Sequence, residues 1–260
     1  MYSYIYDSFL ADKKYAKIVS KIETKLASLG IAGKKHQLSI LRSADEMVEE
    51  ILKKESPTIV VIGSDQTFCR VALPMADTNA VLGFIPTQVD SLMANLLGLP
   101  VNEYACDVIS ARRIECVSFG KINGQRFFSS LEFDANKTEL TADNKYQIIP
   151  KRVKTVKVIN LDLLQFQKMS QEPDWQRLAS NPKDEYLEVL MGTPGKEFWF
   201  LKRKEKRDSL FFVKKLKVKS KKSNQEILIK VDREKIVKTP ALIESTKEDL
   251  KIIVGKDRLI

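Results

Sequence analysis

The residues best placed to do chemistry stand in the run Ile59-Val60-Val61-Ile62-Gly63-Ser64-Asp65-Gln66-Thr67. A β-branched apolar run ends at a glycine and passes through a short polar turn into a segment with helical spacing. In an open parallel sheet such turns lie beyond the carboxyl ends of the strands, where backbone N–H groups and a helix N-terminus attract anions. The same residues also suit an ordinary strand-to-helix turn in which Asp65 or Thr67 caps the helix. One glycine does not separate these readings. The construction recurs in Phe84-Ile85-Pro86-Thr87-Gln88-Val89-Asp90-Ser91, whose following helix is closed by Leu97-Gly98-Leu99-Pro100.

Other reactive residue types are sparse. His36 is the single histidine, which excludes a multi-histidine metal site and a relay needing two imidazoles. Cys69, Cys106 and Cys116 form no C-x-x-C pair and read as small apolar residues of a reducing compartment. Charge is uneven: residues 1–150 carry 17 Lys+Arg against 18 Asp+Glu, and residues 151–260 carry 27 against 16. The whole excess behind the net charge of +10 therefore lies in the C-terminal part, as expected for an anionic partner: a membrane surface, a nucleic acid or a phosphorylated ligand. Lys202–Lys222 holds eleven Lys+Arg and two acids, Glu205 and Asp208. In Lys215-Leu216-Lys217-Val218-Lys219 the alternation predicts a strand with lysines on one face and apolar residues on the other. Lys214, Lys215, Lys217 and Lys219 are thus candidates for binding an anionic surface, or else a solvated strand edge. Nucleic acid is disfavoured: Phe211 and Phe212 are adjacent, so one must face a core, and no RNA-binding motif occurs.

The elements that must position these residues change character along the chain. Up to about residue 106 strands and helices alternate. Tyr2–Tyr6, Gln37–Leu41, Thr58–Ile62 and Ala80–Ile85 read as strands. Asp12–Leu29 (ended by Gly30), a segment after Ser43 with Glu46 in capping-box position, Thr67–Met75 and Ser91–Leu97 read as helices. That predicts a parallel sheet covered on both sides. Beyond it, short strands separated by turns dominate: Arg113–Phe119, an Asn123-Gly124 hairpin turn, Arg126–Phe133, Lys154–Ile159, Glu185–Met191, Lys196–Leu201, Ser209–Val218, Glu226–Val231 and Leu250–Val254. Gln165–Leu178 reads as a loop or short helix. The expected organisation is an α/β domain over 1–106 and an antiparallel β-sandwich over 107–260. No apolar run reaches the roughly 18 residues of a membrane span, and Met1–Asp12 does not resemble a signal peptide. A cytoplasmic protein, peripheral at most to the inner membrane face, is expected.

Taken in order, these motifs resemble the diacylglycerol kinase and sphingosine kinase superfamily of lipid kinases. Its G-G-D-G-T loop aligns with Gly63-Ser64-Asp65-Gln66-Thr67. Its P-x-G-T-x-N-D-x-A-x-x-L-G-x-P segment aligns with Pro86, Ala94, Leu97, Gly98 and Pro100. Asp107–Glu115 resembles the crossover into the second domain, Asn123-Gly124-Gln125-Arg126-Phe127 the N-G-x-x-F hairpin, and Val231-Asp232-Arg233-Glu234 the D-G-E segment. The resemblance implies an NAD kinase/diacylglycerol kinase-like two-domain fold with nucleotide in the cleft between domains. It also implies ATP and Mg²⁺ as cofactors and a lipid alcohol such as diacylglycerol as acceptor. Carried over by position, Asp65 stands at the phosphate–metal site and Glu234 is the candidate general base. Asp232 is a metal or structural carboxylate beside it. Gly63, Ser64, Asp65, Gln66, Thr67, Pro86, Thr87 and Gln88 form the nucleotide loops. Such chemistry is mainly positioning and charge neutralisation.

The loops depart from the family pattern. Ser64 and Gln66 replace glycines, and a β-carbon in a left-handed turn costs about 1–2 kcal/mol. Gln88-Val89-Asp90-Ser91-Leu92 replaces G-T-x-N-D, and Asp7-Ser8-Phe9-Leu10 stands where N-P-x-S-G is expected. Three functions remain open: an ATP-dependent lipid kinase, a pseudokinase that binds lipid or an anionic membrane, and a basic nucleic-acid-binding protein.

Overall fold

The computed structural model describes residues 1–39, 42–54, 58–150, 153–162, 182–192, 209–222 and 225–260. They form two compact units. One is Met1–Val117 with Asp162 and Glu248–Ile260; the other is Ser118–Leu161 with the described part of Ser180–Lys247. The predicted Lys196–Leu201 strand, the Gln165–Leu178 segment and the basic residues 202–208 lie outside the described residues.

In the first unit β1 (Tyr2–Tyr6), α1 (Ala16–Ser28), β2 (Lys34–Gln37), α2 (Ala44–Lys54), β3 (Thr58–Gly63), α3 (Asp65–Ala72), β4 (Val81–Pro86), α4 (Leu92–Leu97) and α5 (Ala105–Ala111) follow in order. The strands run parallel as β2-β1-β3-β4. The sheet is extended by the C-terminal strand, whose Lys251 and Ile252 pair with Val81 and Leu82. Alternate residues of each central strand enter opposite layers. Tyr4, Tyr6, Val60, Ile62 and Ile85 pack with Ile22, Leu26 and Ile109 of α1 and α5. On the other face the Phe84 ring meets Phe68 of α3 at 4.7 Å. Both faces are covered, which explains why β3 and β4 read as continuous apolar runs, and all twelve of their residues are buried.

Local sequence sets the helix ends. Ser43 and Glu46 form the expected reciprocal capping box, at 3.4 and 3.2 Å. Gly30 and Gly98 take φ of 70° and 65° beyond α1 and α4. β2 lies three residues earlier than the predicted Gln37–Leu41 strand, and α5 was not foreseen.

The second unit contains β5 (Ile114–Ile122) from Ser118 onward, β6 (Gln125–Phe127), β7 (Ser130–Asp134), β8 (Thr138–Ala142), β9 (Tyr146–Ile148), β10 (Thr155–Ile159), β11 (Leu187–Gly192), β12 (Ser209–Val213), β13 (Lys215–Ser220), β14 (Leu228–Val231) and β15 (Lys235–Lys238). The N-terminal half of β16 (Ala241–Ile253) belongs here as well. One antiparallel sheet has the order β12-β11-β10-β7-β14-β15, and in the other β16, β13, β8 and β9 pair in sequence. Leu131, Phe133, Val156, Val158, Val189 and Ile229 of the first sheet form one core with Leu140, Leu216, Val218 and Ile243 of the second. This is the expected sandwich. Asn123-Gly124 turns between β5 and β6 at φ 48° and 80°. Ser209–Val218, read as one strand, is broken at Lys214 into β12 and β13.

Candidate functional site

The two polar turns of the first unit lie side by side. Gly63 and Pro86 are register partners at the ends of β3 and β4. The Thr87 N–H donates to the Gly63 carbonyl at 3.0 Å, and the Thr87 hydroxyl donates to it at 3.3 Å. Ser64 is the N-cap of α3, in extended backbone at φ −95°, and its Oγ accepts from the Thr67 N–H. Asp65 and Gln66 already belong to α3. The left-handed strain expected from β-carbons at 64 and 66 therefore does not arise, because this turn carries no left-handed residue there.

The anion seat at the start of α3 holds a carboxylate from the chain itself. Asp7 follows β1 and is buried at 6% exposure. Its Oδ2 accepts from the Ser64 N–H at 3.2 Å, the Ser64 hydroxyl at 2.7 Å and the Thr67 hydroxyl at 2.5 Å. A helix N-terminus with free N–H groups favours negative charge, and here Asp7 supplies it. Close approach is possible because residue 63 is glycine: at its φ of 155°, a β-carbon would overlap the Asp7 side chain.

Asp65 does the equivalent for the neighbouring helix. Its Oδ1 accepts from the Ser91 hydroxyl at 2.5 Å, and its Oδ2 from the N–H groups of Leu92 and Met93 at 2.8 and 3.2 Å. Ser91 Oγ in turn accepts from the Ala94 N–H at 2.9 Å. Asp65 thus caps α4 rather than its own helix. Gln66, Gln88, Val89 and Asp90 are exposed around these turns, while Pro86 is buried. Asp7 was missed as a site residue; the available signal was an acid placed directly after a buried strand.

In the second unit Asp232 and Glu234 occupy the β14–β15 turn. Asp232 Oδ1 accepts from the N–H groups of Ser129 and Ser130 at 2.7 and 3.1 Å, and Oδ2 from that of Phe128 at 2.9 Å. Burial raises its pKa above the usual carboxylate value, opposed by those three N–H groups and by Lys235. Asp232 therefore ties the loop before β7 to this turn. Glu234 is half-buried, and its N–H closes the turn on the Val231 carbonyl at 2.9 Å. On β13 the lysines alternate outward, with Leu216 and Val218 fully buried. Lys214 and Lys215 are in ion pairs with Glu185 and Glu244, at 3.6 and 2.6 Å.

A nucleotide–Mg²⁺ group needs phosphate-accepting N–H groups and carboxylate oxygens with free lone-pair directions. In the first unit the Ser64 N–H is directed at Asp7 and the N–H groups of Leu92 and Met93 at Asp65, whose Oδ2 accepts twice and Oδ1 once. Among the described residues no group of three or more His, Cys, Asp or Glu could hold a metal ion. These residues do not fit the group.

No family model and no curated sequence matches the chain. Solved structures do. A diacylglycerol kinase from Bacillus anthracis str. Sterne superposes with a TM-score of 0.74 at 18% identity, covering 98% of this chain and 97% of that one. Two further B. anthracis structures ascribed to the same kind of enzyme give TM-scores of 0.75 and 0.72 at 18% and 17% identity. The fold is that of the diacylglycerol kinase-like proteins, over essentially their whole length. Among the described residues no helix is long and apolar enough to cross a membrane.

Proposed function

We propose that this chain is a pseudokinase on the diacylglycerol kinase fold, which binds lipid or an anionic membrane surface without transferring phosphate. The observation that carries this reading is the occupation of the two adjacent loop seats by Asp7 and Asp65. A phosphate entering the first seat would meet the Asp7 carboxylate where it needs donors. Like charges at hydrogen-bonding distance repel strongly in a partly buried site. The competing reading, an ATP-dependent lipid kinase with Glu234 as general base, draws its support from the near-complete fold likeness to a diacylglycerol kinase.

Thermal unfolding with ATP and Mg²⁺ separates the two. A ligand that binds only the native state raises its stability by about 2.7 kcal/mol at a hundredfold excess over Kd. We expect no shift in Tm with millimolar ATP–Mg²⁺ and no radiolabel transfer from ATP to diacylglycerol in mixed micelles. The Asp65→Ala variant, which deprives Ser91, Leu92 and Met93 of their acceptor, should lose about 1–3 kcal/mol of stability. A clear Mg²⁺-dependent rise in Tm, or phosphatidic acid formed above background, would defeat the proposal and restore the kinase reading.

A further inference from the structure

The basic stretch that ends at Lys222 does not form one uniform surface. Its first described lysines, Lys214 and Lys215, are held in ion pairs, and Lys247 also reaches Glu185 at 3.5 Å. Its end joins a different group of lysines at one end of the sandwich. The Lys221 N–H donates to the Lys137 carbonyl at 2.9 Å, and its Nζ to the Asn136 carbonyl at 2.9 Å. The Ala135 N–H donates to the Lys154 carbonyl at 2.8 Å, which brings Lys154 to the same loop. Lys219 stands opposite Glu139 in the β13–β8 register, and the Lys222 N–H bonds Ser220 Oγ.

Lys137, Lys154, Lys219, Lys221 and Lys222 are all exposed. Among the described residues none of the five is in an ion pair, and the acids on these loops and strand ends are Asp134, Glu139 and Glu226, the last paired with Lys238 at 2.6 Å. Asp134 is itself engaged by the Asn136 N–H at 2.8 Å. At this same end β9 runs out past the Leu140–Ile148 pair, and the next residue, Ile149, is 61% exposed. We infer that this rim, five unpaired lysines around a protruding isoleucine, is the surface by which the protein docks onto an anionic phospholipid bilayer. The inference rests on the membrane-binding part of the proposed function and assigns it a place.

Charge complementarity and residue type select the occupant. Lysine presents a compact charge on a long apolar stem, suited to headgroup phosphates at a fluctuating interface. The exposed Ile149 adds apolar area that an interface covers and water does not. Among the described residues of the rim there is no aromatic ring for a base to stack on, as single-stranded nucleic acid would use.

The test is sedimentation with vesicles of phosphatidylcholine, with and without phosphatidylglycerol. The wild-type chain should sediment only with phosphatidylglycerol present and be released by high salt. Lys137→Glu/Lys221→Glu/Lys222→Glu should weaken vesicle binding at least tenfold with Tm unchanged, because these side chains are exposed. Lys13→Glu/Lys17→Glu/Lys53→Glu makes the same change of net charge in the first unit and should weaken it far less. Ile149→Ser should reduce the binding that survives at intermediate salt. Equal losses from both triple variants would overturn the rim while leaving membrane binding standing. No sedimentation of the wild-type chain would overturn both, independently of the ATP result. If the rim variant abolished an oligonucleotide mobility shift instead, the partner would be nucleic acid and the inference would fall.

Discussion

Three aspartates carry most of what distinguishes this chain at the scale of single residues. Asp7 and Asp65 each accept from the start of a helix, and Asp232 accepts from three consecutive backbone N–H groups. A carboxylate in such a place is structural first, because removing it leaves several donors without a partner. Asp232 also has a pH signature. Burial raises its pKa, so the folded chain holds the proton more tightly than the unfolded one. The stabilisation linked to that proton is complete below the unfolded pKa and is lost as pH rises through the folded value. Asp232→Asn cannot ionise and keeps an acceptor. Its stability relative to wild type should therefore improve between about pH 4 and about pH 7, spanning the carboxylate range. Urea unfolding at both pH values checks this; a difference that stays constant would remove burial of the charge as the cause.

At the scale of elements, the strand ends decide which side chains meet. β1 and β3 are parallel neighbours, with Tyr6 opposite Ile62, so the residues that follow them, Asp7 and Gly63, are delivered to the same point. The contact requires glycine at 63. Gly63→Ala would force its methyl against Asp7 and should cost about 1–3 kcal/mol, the usual range for overpacking. Gly30→Ala, at φ 70° with open space around its α-carbon, should cost about 1 kcal/mol from backbone strain alone. Chemical denaturation of the two variants gives the comparison, and equal losses would show that the Asp7 contact is not tight.

At the scale of the whole molecule, the chain is not two consecutive pieces. The C-terminal residues return to the first unit, where Leu250, Ile252, Ile253 and Val254 are buried and Gly255 bonds the Leu97 carbonyl at 2.8 Å. Arg258 also pairs with Glu115 at 2.6 Å. A chain ending at Lys247 would leave the edge of β4 unpaired and those apolar side chains without a place. It should lose cooperative thermal unfolding of the first unit, as followed by near-ultraviolet circular dichroism. A truncated chain with an unchanged melt would show that this strand contributes little.

The order of amino acids alone carried the periodicities: apolar runs for strands covered on both faces, alternation for the sandwich, Ser43 and Glu46 for a helix start, Gly98 for a helix end. These are legible because they depend on neighbours a few residues away. It also brought the Gly63 and Pro86 turns to notice, and the outward lysines of β13. It could not show that Asp7 fills the first turn, 57 residues away, or that Asp65 caps α4 rather than α3. Nor could it separate the paired Lys214 and Lys215 from the unpaired rim, or return the last strand to the first unit. Hydrogen bonds and ion pairs over such separations depend on strand order and register, which are fixed only when the sheets close around their cores.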